Sequence, residues 1–265
     1  MEDRHLDLYA CESTQAGVSM KILVLDSSGL VASVAIMTEE AVLAEYTVNY
    51  KKTHSQTLLP MLDECVKMLG LEISEIDAIA VTKGPGSFTG LRIGSATAKG
   101  LGLALDKPIV AVPTVDAIAY NLYAADAIIC PLMDARRNQV YTGLYSFVKN
   151  EFHVLKEQTA CNVEEIIQQV NDSQRPVIYL GDGVEAYQDQ LIENTKVPYY
   201  FAPAHLSKQR AGALGALAFH YIKEGKLESA MEHVPTYLRK SQAEREREEA
   251  LQKGEQVDNS QNASR

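Results

Sequence analysis

One pattern in this chain restricts the fold more than any other, and it occurs twice: an apolar run, an aspartate at its end, a tight polar turn and a second apolar run. In the first copy residues 22–25 (Ile-Leu-Val-Leu) lead into Asp26-Ser27-Ser28-Gly29, and residues 31–37 follow. In the second, residues 128–133 lead into Asp134-Ala135-Arg136-Arg137-Asn138, and residues 139–147 follow. Short continuous apolar runs closed by turn formers read as buried strands. An aspartate at the same point of two strand–turn–strand units predicts an α/β chain of two duplicated lobes.

The segments between agree with that layout. Residues 41–48 read as a third strand. Leu58, Leu62, Cys65, Val66 and Leu69 then fall on one helical stripe, with Thr53 or Ser55 as cap and Gly70 as stop. A strand at 76–81, the turn Lys83-Gly84-Pro85-Gly86-Ser87, a helix over Phe88–Leu105 and a strand at 108–112 follow, and Thr114 is placed to cap a third helix. In the second half, residues 163–170 read as a helix, Val177–Leu180 as a strand, Gly181-Asp182-Gly183 as a turn into a helix, and 212–222 as a further helix. The boundaries this predicts are a disordered extension at 1–19 (or an upstream start codon), a first lobe at 20–112, a second at 113–240, and a charged, disordered tail at 241–265.

Composition narrows the function classes. The longest apolar stretches fall short of the roughly 18–20 residues of a membrane helix, and the acidic segment before Met20 is no secretory signal, which predicts a cytoplasmic protein with no membrane partner. Cys11, Cys65, Cys130 and Cys161 are scattered without a C-x-x-C pair, so they read as buried small hydrophobes. The net charge is −10, with 25 basic against 35 acidic residues. A chain that grips nucleic acid alone usually carries a basic face, so any nucleic acid is expected to be held through a partner.

Two aspartate-bearing hairpins and a late Gly-x-Gly turn resemble the phosphate-embracing parts of the actin, Hsp70 and sugar-kinase superfamily, where glycines let backbone amides reach phosphates and aspartate manages magnesium. Here the set is degenerate. Asp26, Ser27, Asp134, Gly181 and Gly183 hold the positions, but the second hairpin has Ala135-Arg136-Arg137 where small residues would be needed, and Asp182 puts a carboxylate in the glycine turn. Each hairpin aspartate also reads as a turn former bonding its own backbone. No H-E-x-x-H or H-x-x-x-H spacing, G-x-S-x-G elbow or activated cysteine is present, so no catalytic residue, metal ligand or cofactor is predicted.

Residues 83–92 lack the spacing and lysine of a Walker A loop, although a glycine turn entering a helix can hold an anion. The helix after it carries Gly90, Gly94, Ala98 and Gly102 at intervals of four. Each interior glycine costs up to about 1 kcal/mol against alanine, so the ridge calls for close approach by another helix. The Leu58–Leu69 helix of the same chain and a helix of another chain meet that need equally.

Four stretches together resemble the bacterial TsaB (YeaZ) family: Met20-Lys-Ile-Leu-Val-Leu-Asp26-Ser-Ser, His54-Ser-Gln-Thr-Leu-Leu-Pro60, Lys83-Gly-Pro-Gly-Ser-Phe-Thr-Gly-Leu-Arg92-Ile-Gly94 with Lys99-Gly100-Leu101, and Tyr237-Leu238-Arg239. The similarity covers roughly residues 20–240. It implies a two-lobed, actin-like (ASKHA) fold of ribonuclease-H-like lobes and a non-catalytic scaffold role, without cofactor. The pathway implied makes N6-threonylcarbamoyladenosine at position 37 of ANN-decoding tRNAs, with a TsaD-like catalytic subunit and a TsaE-like ATPase as partners and tRNA met only through the complex. It implies docking by the first two helices, mapped here to His54, Leu58, Met61, Gly90, Gly94, Ala98 and Gly102, and self-pairing as a homodimer when the partner is absent. Thus it favours an outside helix on the small-residue ridge. The rival reading is an autonomous ATP-dependent enzyme of the actin-like superfamily; a peptidase finds no ligand or nucleophile constellation.

Overall fold

A computed structural model describes residues 19–50 and 54–239; the expectations for residues 1–18, Thr53 and the tail after 239 lie outside the described residues. In chain order the strands and helices are β1 (Ile22–Asp26), β2 (Ala32–Met37), β3 (Val42–Val48), α1 (His54–Leu69), β4 (Ala78–Gly84), α2 (Phe88–Leu105), β5 (Ile109–Pro113), α3 (Thr114–Ala119), β6 (Ile128–Asp134), β7 (Gln139–Val148), β8 (Glu151–Asn162), α4 (Val163–Asp172), β9 (Val177–Leu180), α5 (Gly183–Asn194), β10 (Tyr199–Phe201) and α6 (Ala211–Lys223).

The strands form two five-stranded sheets, ordered β3-β2-β1-β4-β5 and β10-β9-β6-β7-β8. In the first, β1 runs antiparallel to β2 and parallel to β4; in the second, β6 runs antiparallel to β7 and parallel to β9. The two sheets therefore repeat one topology. This is the actin-like fold of two ribonuclease-H-like lobes, and the repeat of aspartate-ended strands is its trace in the sequence. Strands β8 and β10, which no sequence signal marked, complete the second copy.

Local signals set several boundaries. Gly70, at φ 60°, ends α1 with paired bonds from Gly70 N to Lys67 O and Leu71 N to Val66 O, which satisfy carbonyls the last turn leaves free. Ser87 caps α2, its Oγ accepting from Gly90 N. Thr114 does not cap α3: it is the first helical residue after Pro113, and its buried Oγ1 has no hydrogen-bond partner among the described residues.

The side chains of β1 alternate between two cores. Leu23 and Leu25 face α1 and α2, packing with Leu58, Leu62 and Ala98. Ile22 and Val24 face the other way and pack with Leu214, Leu217 and Phe219 of α6. The expected boundary at residue 113 is thus not respected in space, because α6 belongs to the first sheet. The reason is coverage: both helices available within residues 20–112 lie on one face, and the opposite apolar face needs a helix from elsewhere. Fully burying each large side chain of α6 contributes roughly 1.5–3 kcal/mol.

Helix α3 joins the lobes. Val115, Ile118 and Leu122 pack on the second sheet with Ile129, Met133 and Tyr145, while Ala117 and Tyr120 join the first lobe's α6 core. Between them Asp116 is 3% exposed. Its Oδ1 accepts from Tyr145 Oη of β7 at 2.7 Å and its Oδ2 from Tyr221 Oη of α6 at 3.3 Å, so one carboxylate is bonded to both lobes.

Burial pushes the Asp116 carboxyl up to about 6, against the lowering effect of the Tyr145 hydrogen bond. Between the unfolded value and about 6 the folded state holds this proton and the unfolded state does not, so folding stability falls as pH rises through that window. Urea unfolding of Asp116→Asn at pH 5 and pH 7.5 is expected to show a drop smaller than wild type by on the order of 1 kcal/mol. An unchanged drop would show that Asp116 titrates normally.

Candidate functional site: the cleft between the lobes

The β1–β2 turn and the β6–β7 turn face one another across a cleft of about 550 Å³, lined by Ser28, Gly29, His54, Gly86, Ser87, Asp134, Arg136, Tyr141 and Asp182, among others. The duplicated strands bring Asp26 and Asp134 to equivalent strand ends, but the two carboxylates have different surroundings.

Asp26 is 1% exposed. Its Oδ1 accepts from Ser28 N at 2.9 Å, Ser28 Oγ at 2.7 Å and Thr82 Oγ1 at 3.2 Å. Burial raises its pKa, and the Ser28 and Thr82 hydrogen bonds work against that. This carboxylate is turned into the protein and engaged there. Next to it, Ser27 Oγ donates to Gly90 O at 2.9 Å, and Ser87 N donates to Ser28 O at 2.6 Å. The start of α2 is therefore joined to the β1–β2 turn, main chain against main chain.

That contact explains the small-residue ridge. A Cβ on Gly90 would lie 2.0 Å from Ser27 O, and one on Gly94 would lie 2.6 Å from Ser27 Oγ. At Gly102 it would meet Ala230 Cβ at 2.7 Å, and Ala98 is fully buried. Within the chain the first turn meets the ridge at Gly90 and Gly94 and the segment after α6 meets it at Gly102, while Ala98 shares a core with Leu58 and Leu62 of α1. Leu58 and Met61 are also in the core, at 1% and 4% exposure, and only His54 of the proposed docking residues is partly exposed. In this conformation six of the seven are buried, with Met61 reaching only the floor of a surface groove, because helical spacing reports a close approach without saying what approaches.

The outward side of these helices carries other residues. On α1 it presents Leu59, Asp63, Lys67 and Met68; on α2, Arg92, Ala96, Gly100 and Leu103. Leu59, Met68 and Leu103 are 52%, 78% and 55% exposed, and a Cβ on Gly100 would meet nothing within 4 Å. A groove of about 690 Å³ runs between α1 and β3, lined by Tyr46, Val48, Gln56, Pro60, Met61 and Met68 among others. Gly100 stood in the family-like motif; what sequence lacked was the face it points to.

In the second lobe Asp134 Oδ1 accepts from Arg136 N at 2.8 Å and Tyr187 Oη at 3.1 Å, and Asp182 Oδ1 accepts from Asp134 N at 3.3 Å. Burial foremost, and then the charge of Asp134, raises the Asp182 pKa. Gly181, at φ 101°, would place a Cβ 2.1 Å from Leu132 O, and Gly183 one 2.9 Å from the same atom. The Gly-Asp-Gly turn thus closes on the chain's own strand β6. His54 Nε2 donates to Gly29 O at 2.8 Å, while its buried Nδ1 has no hydrogen-bond partner among the described residues. Among the described residues no group of three or more His, Cys, Asp or Glu is placed to hold a metal ion, and no helix is long and apolar enough to cross a membrane.

Sequence reasoning missed the segment that links the two lobes beside the cleft. Thr236 N donates to Lys83 O at 2.6 Å, Tyr237 stacks on Phe88 with ring centroids 4.3 Å apart, and Arg92 lies over Phe88 at 4.1 Å. Arg239 Nη1 then reaches Ala135 O of the second lobe at 2.7 Å. The family-like Tyr-Leu-Arg was its only sequence signal.

Residues 41–247 match the family model described as "TsaD: tRNA N6-adenosine threonylcarbamoyltransferase". A Bacillus subtilis (strain 168) protein called "tRNA threonylcarbamoyladenosine biosynthesis protein TsaB" is 32% identical over 85% of this chain and 96% of its own length. The Escherichia coli (strain K12) protein of the same description is 29% identical over 84% and 96%. The solved structure "YeaZ from Pseudomonas aeruginosa" superposes with a TM-score of 0.72 at 27% identity, covering 83% of this chain and all of that one.

The inward and outward glycines of α2 give a direct test. Gly94→Leu is expected to destabilise the isolated chain by about 1–3 kcal/mol or more through overpacking against Ser27. Gly100→Leu is expected to leave it as stable or up to about 1 kcal/mol more stable, through helix propensity. Thermal melts of both variants check this; equal melting temperatures would contradict the packing described.

Proposed function

This chain belongs to the TsaB family of tRNA threonylcarbamoyladenosine biosynthesis proteins, and from that premise we propose that it acts in the pathway as a non-catalytic scaffold and activator. In this reading it docks on a TsaD-like catalytic subunit, works with a TsaE-like ATPase in the cytoplasm, and serves the modification of adenosine 37 in ANN-decoding tRNAs. A homodimer through the same face is the form expected when the partner is absent.

The observation that carries the reading is the use the cleft makes of its own polar groups. Asp26 is closed off by Ser28 and Thr82, Asp182 and Asp134 accept from the β6–β7 turn and Tyr187, and the glycine turn abuts Leu132 O. These groups hold backbone turns where a phosphoryl-transfer site would aim them at a cation and a phosphate chain. The docking surface is proposed on the exposed sides of α1 and α2, which carry Leu59, Met68 and Leu103 and the open position at Gly100. A few large exposed side chains of this kind can carry most of the affinity of an interface.

Co-expression with the TsaD-like subunit tests this. The double variant Leu59→Asp, Met68→Asp is expected to weaken association at least about tenfold, roughly 1.4 kcal/mol, with the monomer's melting temperature little changed and modified adenosine reduced in parallel. The isolated wild-type chain is expected to give no heat with Mg-ATP and to make no modified adenosine. Turnover by the chain alone would establish the rival enzyme reading instead.

A further inference from the structure

The β6–β7 turn has three consecutive residues in the left-handed region: Arg136, Arg137 and Asn138, at φ 65°, 57° and 58°. That conformation is disfavoured by about 1–2 kcal/mol for each L-residue other than glycine, and tight strand connections of this kind are usually built from Asn and Gly. Asn138 has a structural reason to be there. Its Nδ2 donates to both carboxylate oxygens of Glu164, at 2.8 and 3.0 Å, and its Oδ1 accepts from Gln190 Nε2 at 3.3 Å.

The two arginines have none. The Arg136 side chain is 88% exposed, and its Nε makes only a long ion pair with Asp134 Oδ2 at 3.7 Å, which at that exposure contributes little. Arg137 is exposed and makes no hydrogen bond or ion pair among the described residues. Arg239 adds a third guanidinium to the same turn by donating to Ala135 O. On a chain of net charge −10, a strained turn thus holds two exposed guanidinium groups out to solvent, one of them in a long ion pair with Asp134, where glycine would satisfy the backbone better.

We propose that Arg136, Arg137 and Arg239 form a phosphate-contacting turn through which this chain itself touches the RNA backbone. Guanidinium groups pair with phosphate oxygens in a planar, bidentate geometry. Such contacts position an RNA without reading its bases. An isolated cationic point on an acidic surface also orients a polyanion as it approaches. The inference rests on the tRNA-modification reading above and adds to it: the partner subunit does not hold the RNA alone.

The test uses the complex of this chain with its TsaD-like subunit and an unmodified ANN-decoding tRNA transcript, with affinity measured across a salt series. R136Q/R137Q is expected to lower affinity about tenfold and to flatten the slope of log affinity against log salt by about 1.5, the loss of two phosphate contacts. R136K/R137K is expected to keep most of the slope. R136G/R137G relieves the left-handed strain, so it is expected to melt no lower than wild type while losing the same affinity as the glutamine variant. Unchanged affinity and slope in R136Q/R137Q would overturn the proposal and leave the pathway reading standing. Loss of subunit association in place of RNA affinity would also overturn it, identifying an acidic protein surface as the ligand. A wild-type complex that binds no transcript would remove the inference and the reading together.

Discussion

The inner face of the first sheet cannot be covered by the segment that builds it. Ile22, Val24, Ala35, Ala80 and Val112 present an apolar surface away from α1 and α2, and α6, after the second lobe has been traversed, closes it together with Ala117 and Tyr120. The lobes are consequently not independent units joined by a linker. The chain enters the second lobe through α3, returns by α6, and buries both helices where the lobes meet. The turns of the cleft are held at a separation decided by that return, with Asp116 bonded to a tyrosine from each side.

Within this frame the cleft keeps the outline of a nucleotide-handling fold with its polar groups redirected. Amides and glycines that such a fold would aim at phosphates lie against neighbouring carbonyls: Ser87 N on Ser28 O, Gly90 over Ser27 O, Gly181 over Leu132 O. Buried carboxylates are stable only when hydrogen-bonded, and Asp26 meets that condition entirely from within. The polar network has a structural task, and the surfaces proposed for other molecules are the exposed sides of α1 and α2 and the arginine turn.

Much of this was legible from residue patterns. Alternating or continuous apolar runs located eight of the ten strands, Gly70 and Ser87 marked helix ends through backbone demands that only a few residue types satisfy, and the paired aspartates exposed the duplication. Strand β8 escaped because its exposure varies irregularly along an edge, leaving neither a continuous apolar run nor a clean alternation. Strand β10 is three residues long and pairs only with β9, too short for any period to register.

Sequence alone pointed to the family, to the six helices and eight of the ten strands, and to a close approach along Gly90, Gly94, Ala98 and Gly102, because glycine at helical spacing is disfavoured unless something sits against it. Which body sits there was a tertiary matter. Spacing specifies a stripe on a cylinder but not the direction in which the cylinder is turned, and packing rotated this stripe onto Ser27 and Ala230 while leaving Gly100 outside. The same holds for α6, whose apolar face needed a sheet to cover, and only the three-dimensional arrangement could say that the uncovered sheet was the first.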